Sequence, residues 1–406
     1  MLSIERLRGA NIGFGYKMHR NITLTLRDLR CIIYMLNKIA EEYRQKMIAE
    51  EYRQKMARIA VIGCGRIANN AHFPALCKLE NVQIKYVCDL IESKAQAAKE
   101  KFALDAQIIT DYKVALADKE IDGVFVLTPN YAHYTVTMDA LKAGKHVFCE
   151  KPITVDYKKS AEMAKEAEKQ GKILQIGVCN RYNKAVETIE EYIRGGKLGN
   201  VYHVYCSFRS FRCIPGLGGD FTTKAQSGGG VLIDWGVHFL DLILYVLGGA
   251  KLKTVSCEQY CEMAKDMRSY KYRDMWAEDT ANIESGTNDV EDFISGFVRT
   301  DKANISFNGA WAQNIDKDDM FIDFMGDKGG IRLSYGGKFT YTSGETLQTV
   351  TPEYDIPDMY GEEDKAFVKA MQTGKHNKAN IENILESAKL LDALYASADA
   401  HKEIAL

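Results

Sequence analysis

Three groups of residues in this 406-residue chain have types and spacings suited to chemistry. The first is Glu150-Lys151-Pro152, which closes the apolar run His146-Val147-Phe148-Cys149. Proline donates no N–H to a ladder, so a strand stops there. Lys151 is then left beyond the carboxyl end of a strand, where open α/β sheets bind ligands. A lysine in that place keeps its charge beside a substrate hydroxyl, or loses it if the site is dry. Taken alone, the tripeptide also reads as a surface strand-to-helix turn. The second group is Asp234 and His238, spaced i, i+4 and so on one face of a helix, with Asp241 marking the next turn. Carboxylate and imidazole together make an acid/base unit, the acid holding the ring and raising its basicity. A hydrogen-bonded core histidine is the plainer alternative. Gly228-Gly229-Gly230 just ahead signals close approach of the backbone to something.

The third group is Gly63-Cys64-Gly65-Arg66-Ile67-Ala68, between the β-branched run 58–62 and a stretch with helical apolar spacing through Leu79. Gly63 permits a tight turn, and Gly65 lets a pyrophosphate approach the backbone. Ala68 replaces the third glycine. Arg66 and Ile67 open the helix, whose N-terminus favours phosphate. A second strand, 83–88, ends at Asp89, placed to accept ribose hydroxyls. Its charge repels a 2′-phosphate, so NAD is favoured over NADP. A solvated strand-end aspartate is the alternative.

These groups need elements to position them. Strands near 107–109, 123–127, 146–149 and 173–178 alternate with helices 93–102, 111–117, 131–142 and 156–170, which predicts a doubly wound parallel sheet. Thr128-Pro129-Asn130 ends one strand on the same edge as Gly63 and Lys151. Asn130 is placed for the nicotinamide-side ribose and His133 begins the next helix, though a plain turn explains Pro129-Asn130 equally well. After Val178 the pattern changes. A helix over 183–194 is followed by alternating runs at 201–208, 252–260, 292–300, 304–312, 320–325, 330–334 and 338–342, which predict one large, mainly antiparallel sheet with a face to cover. The expected division is an extension at 1–56, a nucleotide domain at 57–178 and an α+β substrate and oligomerisation domain at 179–406.

Composition narrows the function. Hydrophobic content of 46%, charged content of 27% and a net charge of −2 fit a globular protein and give no case for a nucleic-acid partner. No apolar run approaches the roughly 18–20 residues that span a bilayer. The ten cysteines form no CxxC pair, and several sit in apolar runs, which suits buried thiols in a reducing cytoplasm. Cys206, Cys213, Cys257, Cys261 and His203 lack a tight ligand pair, so no metal site is expected. The first 56 residues hold 11 Lys/Arg against 6 Asp/Glu, whereas the remainder holds 42 against 49. They end in a tandem repeat of Ile-Ala-Glu-Glu-Tyr-Arg-Gln-Lys-Met, 39–47 and 48–56. Met56 or Met47 is the expected natural start. An oligomerisation arm is the functional alternative.

The chain resembles the Gfo/Idh/MocA oxidoreductases, a family of sugar and inositol dehydrogenases. The resemblance rests on Gly63–Ala68, Thr128-Pro129-Asn130 with His133, Gly144-Lys145-His146-Val147 running into Glu150-Lys151-Pro152, and Ser227-Gly228-Gly229-Gly230 with Asp234, His238 and Asp241. Asp289-Val290-Glu291-Asp292, Asn308-Gly309-Ala310, Gly326-Asp327-Lys328-Gly329-Gly330 and the tail helix 381–398 match as well. It covers residues 57–406. It implies an NAD-dependent dehydrogenase whose cofactor contacts Gly63, Gly65, Arg66, Ile67, Asp89, Thr128, Asn130, His133, Glu150 and Lys151. Lys151 would polarise the reacting hydroxyl, His238 would take its proton, and Asp234 would hold substrate and imidazole. Arg181 and Tyr182 fall at family pocket positions, and Arg209 begins a loop read as covering the substrate. The tail helix, about 380–400, is expected to return to the first domain, and a sheet face to build a homo-oligomer.

The substrate implied is a secondary hydroxyl of a sugar, cyclitol or glycoside, with C3 oxidation of a glycoside as the concrete version. An NAD-dependent glycosidase working by transient oxidation and elimination would use the same residues. A non-catalytic nucleotide-binding regulator would not need Lys151, Asp234 and His238.

Overall fold

The computed structural model describes residues 56–154 and 156–406, together with Leu36, Lys38 and Glu41. Apart from those three residues and Met56, the expected extension and its tandem repeat lie outside the described residues. The first sheet has six parallel strands: β1 (Ala57–Ile62), β2 (Val82–Cys88), β3 (Gln107–Ile109), β4 (Gly123–Val126), β5 (His146–Glu150) and β6 (Leu174–Gly177), in the order β3-β2-β1-β4-β5-β6. Strands β4 and β6 are buried along their whole length, as continuous apolar runs between two helical layers must be. Asp111 and Asp156 cap the helices Tyr112–Ala117 and Tyr157–Gln170, each accepting a backbone N–H two residues on. The strand order reverses between β1 and β4. Their carboxyl ends carry Gly63 and Thr128, at the switch point where such sheets take ligands.

The second sheet contains β7 (Val201–Arg209), β8 (Leu252–Tyr260), β9 (Phe293–Thr300), β10 (Asn304–Ala310), β11 (Asp319–Gly326), β12 (Gly329–Ser334), β13 (Lys338–Ser343), β14 (Thr349–Val350) and β15 (Ile404–Ala405). Its order is β14-β13-β12-β11-β7-β10-β9-β8-β15. All pairings are antiparallel except β7 with β10. One face packs Val204, Cys206, Phe208, Phe307 and Phe324 against the helix Val237–Val246. The stretch Lys224–Val246 has the length and composition of a membrane span, contrary to the expectation for this chain, but most of its apolar window is buried inside the fold.

The chain crosses back before it ends. Phe367, Val368 and Met371 of the helix Met359–Thr373 join the core beneath the first sheet. Phe367 stands edge-on to Phe125 and Phe148, contacts of about 0.5–1.5 kcal/mol each beyond their burial. The following segment sends Ala379, Ile381, Ile384 and Ala388 to the other face of that sheet. The rest of the helix Leu385–Ala400 packs Leu390, Leu391 and Leu394 into the core of the second sheet.

Candidate active site

The glycine turn is built as the sequence requires. Gly63 has φ +103°, and a side chain there would strike the Leu127 carbonyl at 2.5 Å. A Cβ on Gly65 would meet nothing within 4 Å, so open space lies against the backbone, as a pyrophosphate would require. Asn69 braces the turn by donating to the carbonyls of Cys64 and Gly65 at 2.8 and 2.9 Å. Asp89 closes it from β2: one carboxylate oxygen accepts the Cys64 N–H and the other the Ile91 N–H, both at 2.9 Å. Thr128 at the end of β4 has a buried hydroxyl with no partner. An open cradle, an orphaned hydroxyl and a strand-end carboxylate together fit a dinucleotide. Burial, with Asp89 and Cys88 adding, pushes the Cys64 thiol up to about 12, so it is no nucleophile.

Across the cleft, Glu291 accepts the backbone N–H groups of Gly230 and Leu232 at 2.8 and 3.0 Å and the Tyr395 hydroxyl at 2.9 Å. Two of the three glycines answer to these neighbours: a side chain on Gly229 or Gly230 would overlap Tyr395 or the Glu291 backbone. The helix then opens with a π turn, Leu232–Gly236, that carries Asp234. A second π turn, Ala68–His72, follows the nucleotide glycines. Such turns concentrate at functional sites.

Lys151 and Asp234 meet in the cleft. The ammonium lies 3.1 Å from Asp234 Oδ1 and 3.1 Å from the Asp234 carbonyl oxygen. Asp234 Oδ2 is buried and without a partner. His238 lies close by, its Nδ1 3.4 Å from the amide of Asn180, which also donates to the Tyr335 hydroxyl at 3.2 Å. Burial and the Lys151 charge hold the imidazole of His238 well below its usual range, so it is a neutral base. The expected Asp234–imidazole contact is not formed. An ammonium 3.1 Å away is the stronger partner for a carboxylate than a neutral ring.

The sequence comparisons agree with this architecture. Residues 57–178 match the model of the oxidoreductase family with an NAD-binding Rossmann fold. Residues 186–332 match the GFO/IDH/MocA C-terminal domain. D-glucoside 3-dehydrogenase of Escherichia coli K12 is 31% identical over 352 residues, 86% of this chain and 97% of that protein. This chain belongs to the Gfo/Idh/MocA oxidoreductase family. Inositol 2-dehydrogenase of Salmonella typhimurium LT2 is 33% identical over 160 residues, 39% of this chain and 47% of that enzyme. Among solved structures, levoglucosan dehydrogenase with NADH and levoglucosan superimposes with a TM-score of 0.73 at 18% identity, covering 86% of this chain and 99% of that one. That likeness is one of fold.

In this Gfo/Idh/MocA oxidoreductase several expected contact residues are engaged elsewhere. Arg181 forms a two-pronged pair with Asp241 at 2.9 and 2.7 Å and donates to the carbonyls of Lys378 and Asn383. It is buried, with four of its five N–H donors bound to protein acceptors. Neighbouring Tyr182 is buried in the first-sheet core. Arg209 lies on the open face of the second sheet, paired with Asp319 at 2.9 Å, because β7 alternates and its other face carries Phe208 into the core. His133 is buried, with both ring nitrogens on carbonyl oxygens, Pro152 at 2.7 Å and Thr128 at 2.9 Å. It ties the Thr-Pro-Asn turn to the Glu-Lys-Pro turn and offers a cofactor nothing. Asn130 donates to the Ser227 carbonyl at 2.8 Å, linking the first sheet to the glycine-rich turn. Glu150 is buried, one oxygen accepting the Lys151 N–H and the other facing His72.

The run Gly216–Gly219 is packed: side chains on Gly218 and Gly219 would overlap the backbone of Asn282 and Thr280. Two loops thus brace each other, and Trp276 reaches over the Arg66 guanidinium and against Phe221. Sequence reasoning missed Asn69, His72, Asn180 and Tyr335. Asn69, four residues beyond Gly65, was within reach of a turn-bracing argument. Tyr335 had no local signal. A cavity of about 320 Å³ lies at the opposite edge of the first sheet and includes Lys119, Lys145 and Lys172.

Proposed function

We propose that this oxidoreductase oxidises a secondary hydroxyl of a neutral sugar or glycoside, with C3 of a glycoside as the leading position. The observation that carries the reading is the Lys151–Asp234 pair beside neutral His238, at the edge where the dinucleotide cradle opens. D-glucoside 3-dehydrogenase, aligned over nearly its whole length, supports the substrate class. When bound, NAD supplies the hydride acceptor. Lys151 donates a hydrogen bond to the substrate oxygen, favouring the negative charge that develops there. His238 accepts the hydroxyl proton. Asp234 fixes the ammonium and, through its free oxygen, accepts from a neighbouring sugar hydroxyl. Asn180 and Tyr335 hold the His238 side of the pocket.

The enzyme is further proposed to divide at residue 178 into nucleotide and substrate domains, to act in the cytoplasm and to assemble through the open face of the second sheet. Free thiols at nine described cysteines suit a reducing compartment. Removing residues 1–55 and measuring native mass and activity tests whether the extension is dispensable.

A panel of sugars, cyclitols and glycosides followed by NADH absorbance tests the main reading. Turnover of glycosides with a 3-keto product supports it. Phenol release from a nitrophenyl glycoside without net NADH would replace it with an NAD-dependent glycosidase. NAD binding with no turnover of any substrate would favour a regulator.

A further inference from the structure

His72 occupies a position that the reaction scheme leaves unexplained. It sits at the end of the π turn behind the nucleotide glycines and is fully buried. Its Nε2 lies 3.0 Å from Glu150 Oε1 and its Nδ1 2.9 Å from Asp364 Oδ1. Each contact needs one proton, and the imidazole supplies both when it is a cation. The other oxygen of Glu150 accepts the Lys151 backbone N–H at 2.9 Å. Glu150 cannot easily turn away, because it packs on Gly177, where even a methyl group would come within 2.7 Å of Oε1. The ring is wedged against Phe148 and Tyr360. One unbroken chain of contacts therefore runs from the helix Met359–Thr373 through the nucleotide turn to the lysine in the cleft.

We propose that His72 is a positioning residue: its imidazole, bridging Asp364 and Glu150, fixes Lys151 relative to the nucleotide turn. This rests on the reading of Lys151 as the group that meets the reacting hydroxyl. The groups facing the ring are Glu150 from β5 and Asp364, Glu363 and Tyr360 from the helix Met359–Thr373. Cys179 and Lys151 lie next to Glu150. Burial works against charge on His72, but Asp364 and Glu150 outweigh it and raise the imidazole to about 10. Burial and the neighbouring acids push Glu363 well above the usual carboxylate range, and burial raises Asp364 too, with the His72 charge pulling it back. With that value the imidazole keeps its charge across the neutral range and loses it in alkali.

The test uses the full-length enzyme with NAD and a turned-over glycoside. Asp364→Asn keeps the shape but removes the countercharge, so His72 loses its proton at lower pH and the alkaline limb of kcat moves down by about one pH unit. His72→Gln lowers kcat about tenfold or more, since small misplacement of a reacting group is costly, while KM for the sugar stays within about threefold. In the His72→Gln background, Asp364→Asn moves no limb. An unmoved limb in the single variant, or the same movement in both backgrounds, overturns the proposal. If His72→Gln does not fold, the Asp364→Asn profile alone decides. Turnover surviving in Lys151→Met would sink the underlying reading. A dead Lys151→Met with an unmoved Asp364→Asn limb sinks only this inference.

Discussion

The ammonium of Lys151 is held 3.1 Å from both the carboxylate and the backbone carbonyl of Asp234, so one residue grips it twice. The two arrive from opposite sides of the cleft, Lys151 from the end of β5 and Asp234 from the glycine-led helix of the second sheet. The contact leaves one carboxylate oxygen buried and unpartnered. A buried acceptor without a donor costs about 1–3 kcal/mol, a cost that a substrate hydroxyl would remove. Lys151→Met is expected to lower kcat by about 10²–10⁴-fold and to leave NAD affinity within about threefold of wild type. Stopped-flow turnover with fluorescence titration of NAD checks both. Retained turnover would show the ammonium to be structural.

Asp89 braces the turn through the Cys64 N–H, and in the proposed cofactor site its charge faces the ribose. Asp89→Ala is therefore expected to weaken NAD and to narrow the gap between NAD and NADP. Asp89→Asn, which retains an acceptor but no charge, should restore part of the NAD affinity while still tolerating NADP. Dissociation constants for both cofactors decide. An unchanged preference in both variants would leave Asp89 as a turn brace only.

Much of this was legible in sequence because it depends on local rules. The period-two and helical patterns located both sheets, and the glycines marked the turns that only glycine can make. The pairing of Lys151 with Asp234 was only half legible. Glu-Lys-Pro and the i, i+4 motif each announced a site, but separations of about 80 residues carry no register. The expected contacts of Arg181 and His133 came with the family resemblance and that of Arg209 with the reading of a covering loop, none of which carries the protein partners Asp241, Pro152 and Asp319 that the fold supplies. Burial then decides in favour of protein partners, since a buried charge must be paired.

Arg181 shows what such pairing is worth. Both it and Asp241 are almost fully buried, and Ser387 adds a hydrogen bond to the same carboxylate at 2.7 Å. Arg181→Met strands the Asp241 charge and is expected to destabilise the protein by about 3–5 kcal/mol. Turnover per folded enzyme and KM for the sugar should stay near wild type. Urea unfolding and active-site titration separate the two effects. A selective rise in KM with unchanged stability would return Arg181 to the substrate pocket.

The two histidines behind the cleft predict how stability responds to pH. Burial opposes charge on His133, but Cys149 and the carbonyls of Pro152 and Thr128 outweigh it and raise the ring to about 9. His72 is raised to about 10. In the unfolded chain both titrate near 6.5. Between about 6.5 and 9 the folded protein therefore binds more protons than the unfolded one, and stability falls as pH rises, with a limiting slope of about 1.4 kcal/mol per pH unit for each group. Below about 6.5 their contribution is complete. His238 acts in the opposite sense, because its depressed value makes stability fall as pH drops below 6.5. His133→Gln still donates one hydrogen bond but cannot titrate. Its urea midpoint should be lower than wild type at pH 6.5 and decline less steeply between pH 7 and 9, the two curves converging in alkali. Parallel curves would mean that His133 is neutral in the native protein and that one of its two carbonyl contacts lacks a proton.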